Sequence, residues 1–289
     1  MLRKLLVGIA KRILKYCQPY KYVSIDISQL YKGGILYGKN IVIIDGEKEL
    51  GYEMAKKFVS EGANVIISGK NEEMLKYVCL NIGEKCHYIV CDICKTENYV
   101  SFIEGCVSIF NSEIDCMVCN AANCCCEKFD SNIAINGFNK QFETNLMGPY
   151  FLCQTFLSCK INKVDMVKTR LDNAQILFIT SETDYNCYDI SYRMTEAAMN
   201  SYIRALSRRV YKYEIRVNAI VSRVTTNDLP MESFLNDVRK ISYSTASRRQ
   251  LQSEEVAKVA CFLLSDASKC ISGEIIHTST DNHLCTLGE

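Results

Sequence analysis

The chain has no excess of either charge. Its 289 residues carry 34 lysines and arginines against 33 aspartates and glutamates, a formal net charge of +1. That balance argues against nucleic acid or another polyanion as the main partner. No run of about 18 consecutive apolar residues occurs, so no membrane-spanning helix is expected. Only three prolines and no low-complexity tract are present, which leaves an ordered chain as the expectation beyond the N-terminus. The first residues lack an apolar core followed by a small-residue cleavage site, so no cleavable signal is expected. No internal repeat or second domain boundary is visible. Apolar residues are plentiful at 48% of the chain, enough to fill the core of one large domain or two small ones.

Cysteine is also plentiful, with 17 residues. Most lie inside apolar runs, where a thiol behaves as a small hydrophobe, and a reducing cytoplasm is the expected setting. The sharpest metal candidate is Cys91-x-x-Cys94 followed by Cys116-x-x-Cys119. In a doubly wound sheet these pairs fall on the third and fourth strands, roughly 14 Å apart at about 4.8 Å per neighbouring strand. Four thiolates so placed cannot share one zinc ion at about 2.3 Å each, so no metal site is expected. Cys124, Cys125 and Cys126 form a loop cluster with no assigned role.

Residues 1–16 carry Arg3, Lys4, Lys11, Arg12 and Lys15, with no acid before Asp26. At 100° per residue Leu2, Leu5, Leu6, Ile9 and Ile13 gather on one side of a helix, and Lys4, Lys11 and Lys15 lie nearly opposite. Residues 1–36 thus read as a basic amphipathic extension. It suits peripheral contact with an anionic membrane surface, an organelle presequence, or packing on its own domain or a partner subunit. From residue 37 to 289 the pattern becomes regular. Short apolar strands are predicted at 41–44, 64–67, 87–90, 114–118, 176–179 and 217–221. Helical patterns separate them, notably at 51–60, 137–160 and 191–213. Continuously apolar strands alternating with helices imply an α/β fold: a Rossmann-type doubly wound parallel sheet in a single domain.

After the first strand comes Asp45-Gly46-Glu47-Lys48-Glu49-Leu50-Gly51, opening a helix. Glycines there let backbone amides approach a pyrophosphate at the positive helix end. Further on stand Cys119-Asn120-Ala121-Ala122, Asp92 at the end of the third strand, and Asn145 in Thr-Asn-Leu-Met-Gly. Ile179-Thr180-Ser181, Tyr192 in Ser-Tyr-Arg-Met-Thr-Glu-Ala-Ala, and Ile215-Arg216-Val217-Asn218-Ala219-Ile220 follow. Ser253-Glu254-Glu255-Val256-Ala257, Leu263-Leu264-Ser265-Asp266 and Ile271-Ser272-Gly273-Glu274 complete the series. In this order and spacing, over roughly residues 36 to 282, the chain resembles the short-chain dehydrogenase/reductase family, and within it the 3-oxoacyl-carrier-protein reductase-type members.

The resemblance implies a nicotinamide dinucleotide cofactor and hydride transfer between it and a small-molecule carbonyl or secondary alcohol. It implies cofactor contacts at Gly46, Leu50, Gly51, Lys70, Asp92, Asn120 and Ala121. Ser181 would polarise the carbonyl, Tyr192 would exchange the proton, and Asn145 would anchor a relay water. It also implies helix faces used for homo- or hetero-oligomers. At the end of the second strand, Ser68-Gly69-Lys70 offers no acid for an adenosine ribose diol; Lys70 can meet an extra phosphate as a point charge, which favours NADP over NAD.

The chain departs from the family pattern at several points. The glycine loop is one residue shorter, with Asp45 for its threonine and Glu49 for its middle glycine; Ala122 stands for a glycine and Ser222-Arg223 for Pro-Gly. Above all, Glu196 stands four residues after Tyr192, where the family has lysine. Positions i and i+4 share a helix face. A unit charge about 7 Å from the phenol, at an effective dielectric of about 20, contributes roughly 2 kcal/mol, so exchanging a cation for an ionised carboxylate is a swing of about 4 kcal/mol against the phenolate. The degenerate centre implies altered or impaired catalysis; the alternative is a non-catalytic pseudoenzyme acting as a binding or assembly subunit. The only Tyr-x-x-x-Lys string, Tyr52 to Lys56, lies in the first helix. The segment 223–250, with Asp228, Met231 and Phe234, corresponds to the family's substrate loop and carries no recognisable motif.

Overall fold

In a computed structural model, the structure describes residues 34–120, 135–167, 174–181, 190–222 and 251–278. Among these, seven strands form one parallel sheet in the order β3-β2-β1-β4-β5-β6-β7. The strands are β1 (Asn40–Ile44), β2 (Asn64–Gly69), β3 (Cys86–Val90), β4 (Cys116–Cys119), β5 (Gln175–Ser181), β6 (Arg216–Ser222) and β7 (Ile275–His277). The helices are α1 (Glu49–Ser60), α2 (Glu72–Ile82), α3 (Tyr99–Phe110), α4 (Ile135–Phe142), α5 (Gly148–Val167), α6 (Ile190–Val210) and α7 (Ser253–Leu264).

The apolar strands are buried because both faces are covered, as a parallel sheet with crossover helices requires. On β1 the alternation sorts residues between two cores. Val42 and Ile44 join Phe102, Leu152, Phe156 and Met199 from α3, α5 and α6. Ile41 and Ile43 join Met54, Phe58, Leu75 and Ala260 from α1, α2 and α7. β1 lies between β2 and β4, so successive crossovers leave it in opposite directions. That reversal opens the crevice at the carboxyl ends of the strands where dinucleotide folds bind their ligand.

Several elements differ from the expected bounds. The helix predicted over 137–160 is broken into α4, a π-helical turn at Glu143–Met147, and α5. A local insertion of this kind leaves the hydrophobic periodicity on either side intact and is invisible to it. β7 is only three residues long and falls below the length at which an apolar run reads as a strand. Gly34 to Leu36, assigned from sequence to the extension, are tied to the domain. The carboxylate of Glu61 accepts the N–H of Gly34 at 3.1 Å, and Leu36 is fully buried. The first pair of candidate zinc ligands, Cys91 and Cys94, follows β3, and the second, Cys116 and Cys119, bounds β4; β2 and β1 lie between them.

Candidate active site

The site begins at the carboxyl end of β1. Asp45 adopts a left-handed backbone (φ 59°), which turns the chain sharply off the strand. Gly46 then packs against β2, where an added β-carbon would meet Ile67 at 2.9 Å. Gly51, in the first turn of α1, would place a β-carbon 2.6 Å from the Gly46 α-carbon. Both glycines are therefore needed for the loop to close, and Leu50 between them is buried in the core on the α1 face. Lys48, the N-cap of α1, makes no side-chain capping hydrogen bond. Helices leave their first amides without intrahelical partners, and such amides suit a phosphate. The chemistry of the loop thus fits a pyrophosphate, although two carboxylates flank it. Asp45 is partly neutralised by Lys48 at 2.7 Å, and Glu47 reaches across to accept the N–H of Asn71 at 2.9 Å. Across the crevice Asn120, just past β4, donates its amide to the Asp45 carbonyl at 3.2 Å and fixes the mouth of the loop.

Lys70 and Asp92, expected to meet the adenosine end of a dinucleotide, are joined to each other at 2.8 Å. Burial works against the charged Asp92, but the Lys70 ammonium and the Cys94 N–H outweigh it and lower its pKa. The turn at the end of β2 has no acid of its own, as read from the sequence, but Glu47 delivers a carboxylate to it from the neighbouring loop.

The other end of the candidate site is assembled from β5, α6 and the π-helical turn. Tyr192 and Glu196 lie on successive turns of α6 and are 7% and 4% exposed. The Glu196 carboxylate accepts the backbone N–H of Ser181 at 2.8 Å and a hydrogen bond from the Tyr192 hydroxyl. Burial pushes its pKa up from an ordinary 4.5, those two donors pull it part of the way back, and it settles at about 7. Asn145 sits in the π-helical turn, buried, and donates to the Thr195 hydroxyl at 3.3 Å. Thr195 in turn donates to the Tyr192 carbonyl at 2.7 Å. Gly148 lets this turn approach the loop after β3, since a β-carbon there would lie 2.6 Å from the Ile93 carbonyl oxygen.

Ser181, Tyr192 and Glu196 are thus joined directly, and Asn145 reaches them through Thr195. The Tyr52–Lys56 pair stays within α1, with the ammonium 5.7 Å from the ring centroid. Sequence reasoning missed Thr195 and the reach of Glu47; the bare Gly69, which leaves room for a carboxylate, was the available signal for the second. Ala121, Ala122, Cys124 to Cys126, residues 1–16 and the segment 223–250 lie outside the described residues.

Residues 46–280 match the protein-family model described as Enoyl-(Acyl carrier protein) reductase. The chain belongs to the short-chain dehydrogenase/reductase family of nicotinamide-dependent oxidoreductases. It is 26% identical to an L-rhamnose 1-dehydrogenase (NADP(+)) of Thermoplasma acidophilum, over 82% of this chain and 92% of that protein. It is also 26% identical to a 3-oxoacyl-[acyl-carrier-protein] reductase of Chlamydia trachomatis, over 84% of this chain and 96% of that protein. In structure it resembles a 3-ketoacyl-(acyl-carrier-protein) reductase from Brucella melitensis complexed with NADH. That match has a TM-score of 0.75 and 22% identity, and covers 86% of this chain and 99% of the other. The fold is shared at that level.

Proposed function

We propose that this family member interconverts a small carbonyl compound and its secondary alcohol, with the proton at Tyr192 passed to and from Glu196 instead of being managed by a lysine. The observation that carries this reading is the buried Glu196 carboxylate bonded at once to the Tyr192 hydroxyl and the Ser181 N–H. A bound nicotinamide dinucleotide supplies or accepts the hydride. The residues that would hold it are the Gly46–Gly51 loop with the first amides of α1, Asn120, and the Lys70–Asp92 pair. Lys70 is the residue that argued for NADP, and it stands paired with Asp92 at 2.8 Å.

The protein's own part is proton traffic. In reduction, Tyr192 gives its hydroxyl proton to the developing alkoxide beside Ser181 and recovers one from protonated Glu196. In oxidation the path reverses: the alcohol proton passes to Tyr192 as the Tyr192 proton passes to the ionised carboxylate. A group that titrates near neutrality serves both directions. With a pKa of about 7, Glu196 makes reduction fastest below that pH and oxidation fastest above it. Rate–pH profiles in both directions over a panel of ketones and alcohols test this. Glu196→Gln should flatten the inflection. Absence of any cofactor-dependent turnover, or an unchanged profile in the variant, rejects the relay.

The alternative of a non-catalytic binding or assembly subunit is supported by the departures at Glu49, Ala122, Glu196 and Arg223. It calls for cofactor binding without turnover, unrelieved by Glu196→Lys. Exposed Met147, Tyr150, Phe151 and Met194 on the π-helical turn, α5 and α6 support assembly into homo- or hetero-oligomers. The buried free thiols, Cys106, Cys116 and Cys261 among them, support a cytoplasmic setting. Among the described residues no helix is long and apolar enough to cross a membrane; surface contact through residues 1–16 remains part of the proposal.

A further inference from the structure

The end of β2 is where an α/β dinucleotide site meets the adenosine ribose, and whether an acid or a base stands there decides between a free 2′-hydroxyl and a 2′-phosphate. Here β2 ends at Gly69, which has no side chain, and the space beside it is filled from another loop. A β-carbon on Gly69 would lie 2.4 Å from Oε2 of Glu47 and 2.6 Å from its carboxyl carbon. The carboxylate is pinned by the Asn71 N–H at 2.9 Å. An ionised carboxylate offers about four acceptor positions, so one backbone donor leaves capacity for hydroxyl groups.

The neighbouring cations are already engaged, Lys70 with Asp92 at 2.8 Å and Lys48 with Asp45 at 2.7 Å. The Lys70–Asp92 pair is partly exposed on both sides and therefore weak, so Lys70 could leave Asp92 for a phosphate at little cost. Glu47 is therefore the discriminating group, since a phosphate beside Lys70 would still face the carboxylate that lies against Gly69 and accepts the Asn71 N–H.

We propose that Glu47 selects the cofactor: its carboxylate stands in for the acid that β2 lacks, receives the adenosine-ribose hydroxyls and repels a 2′-phosphate, so that the chain prefers NAD(H) to NADP(H). This rests on the reading that a nicotinamide dinucleotide binds at the carboxyl edge of the sheet. The test is fluorescence titration of NADH and of NADPH against the full chain, Glu47→Gln and Gly69→Ala, with melting curves to confirm that each variant is folded. The wild type should bind NADH on the order of tenfold more tightly than NADPH, from one extra carboxylate–phosphate repulsion. Glu47→Gln should bring the ratio close to one. Gly69→Ala, whose methyl group displaces the carboxylate, should move it the same way. Equal or tighter binding of NADPH by the wild type overturns the proposal, as does an unchanged ratio in Glu47→Gln. Binding of neither dinucleotide overturns the cofactor site itself, and this assignment with it.

Discussion

Replacing Glu196 by glutamine should stabilise the protein, and by an amount that depends on pH. In the folded chain the carboxyl is 4% exposed and has a pKa of about 7, against an ordinary 4.5. The raised value means that the fold holds the proton more tightly than the unfolded chain does. Below about pH 4.5 both states are protonated and the stabilising contribution is complete. Between 4.5 and 7 the unfolded chain loses its proton first, and stability falls as pH rises. Above 7 both states are ionised and the loss levels off. A difference of this size corresponds to about 3 kcal/mol. Glutamine has nearly the same shape, does not titrate, and keeps an oxygen for the Ser181 N–H. The variant should therefore differ little from wild type near pH 5 and exceed it by about 3 kcal/mol at pH 8, or roughly 6–12 °C in melting temperature for a domain of this size. Urea unfolding of both proteins at intervals from pH 5 to pH 9, followed by circular dichroism, measures it, and other titrations cancel in the difference. A stability gap that stays constant with pH, or that widens toward acid, would refute the buried-carboxyl account.

Gly51→Ala should destabilise the fold by about 1–3 kcal/mol and weaken NADH titration, because its methyl group meets the Gly46 backbone at 2.6 Å and forces open the loop offered to phosphates; unaltered melting and binding would show that the loop has slack. Arg216→Ala should cost about 3 kcal/mol or more in urea unfolding. Its guanidinium donates to the carbonyls of Leu263, Ser265, Ser268 and Ile271 and ties the end of α7 to β6.

The layout of the domain was legible because it depends on local signals. The apolar runs Ile41 to Ile44 and Val217 to Val221 can be buried on both faces only in a covered parallel sheet, and the glycine loop marks which strand lies at its centre. The Arg216–Asn218 pattern was recognisable as a resemblance, and its physical basis appears only in three dimensions. While Arg216 holds four carbonyls, Asn218 donates to Ile271 and accepts the N–H of Glu274, so the strand also fastens the chain leading to β7. The π-helical turn at Glu143–Met147 was not legible, since one extra residue in a helix changes the direction of Asn145 without altering composition. The carboxylate at the end of β2 was hidden for a related reason. Glu47 is 22 residues from Gly69 in sequence, and only the sheet order brings loop and turn side by side.

Glu196 shows how far a charge argument from sequence can go. The sequence correctly places it on the face of Tyr192, and an ionised carboxylate there opposes a phenolate. The 4 kcal/mol swing assumed full ionisation at a distance of about 7 Å. In the fold the two groups touch, and burial leaves the carboxyl close to half-protonated at neutral pH. The question then changes from repulsion to the direction of a hydrogen bond. With Glu196 ionised, the Tyr192 proton is held toward the carboxylate and is withheld from a carbonyl. With Glu196 protonated, the acid can donate to the phenol oxygen, and the Tyr192 hydroxyl is released toward the substrate. A lysine would favour the phenolate at every pH below its own titration, whereas a carboxyl near 7 makes the proton donor conditional on pH. Under the proposed relay, the same exchange that removes the usual cation ties the direction of turnover to the protonation of one buried group.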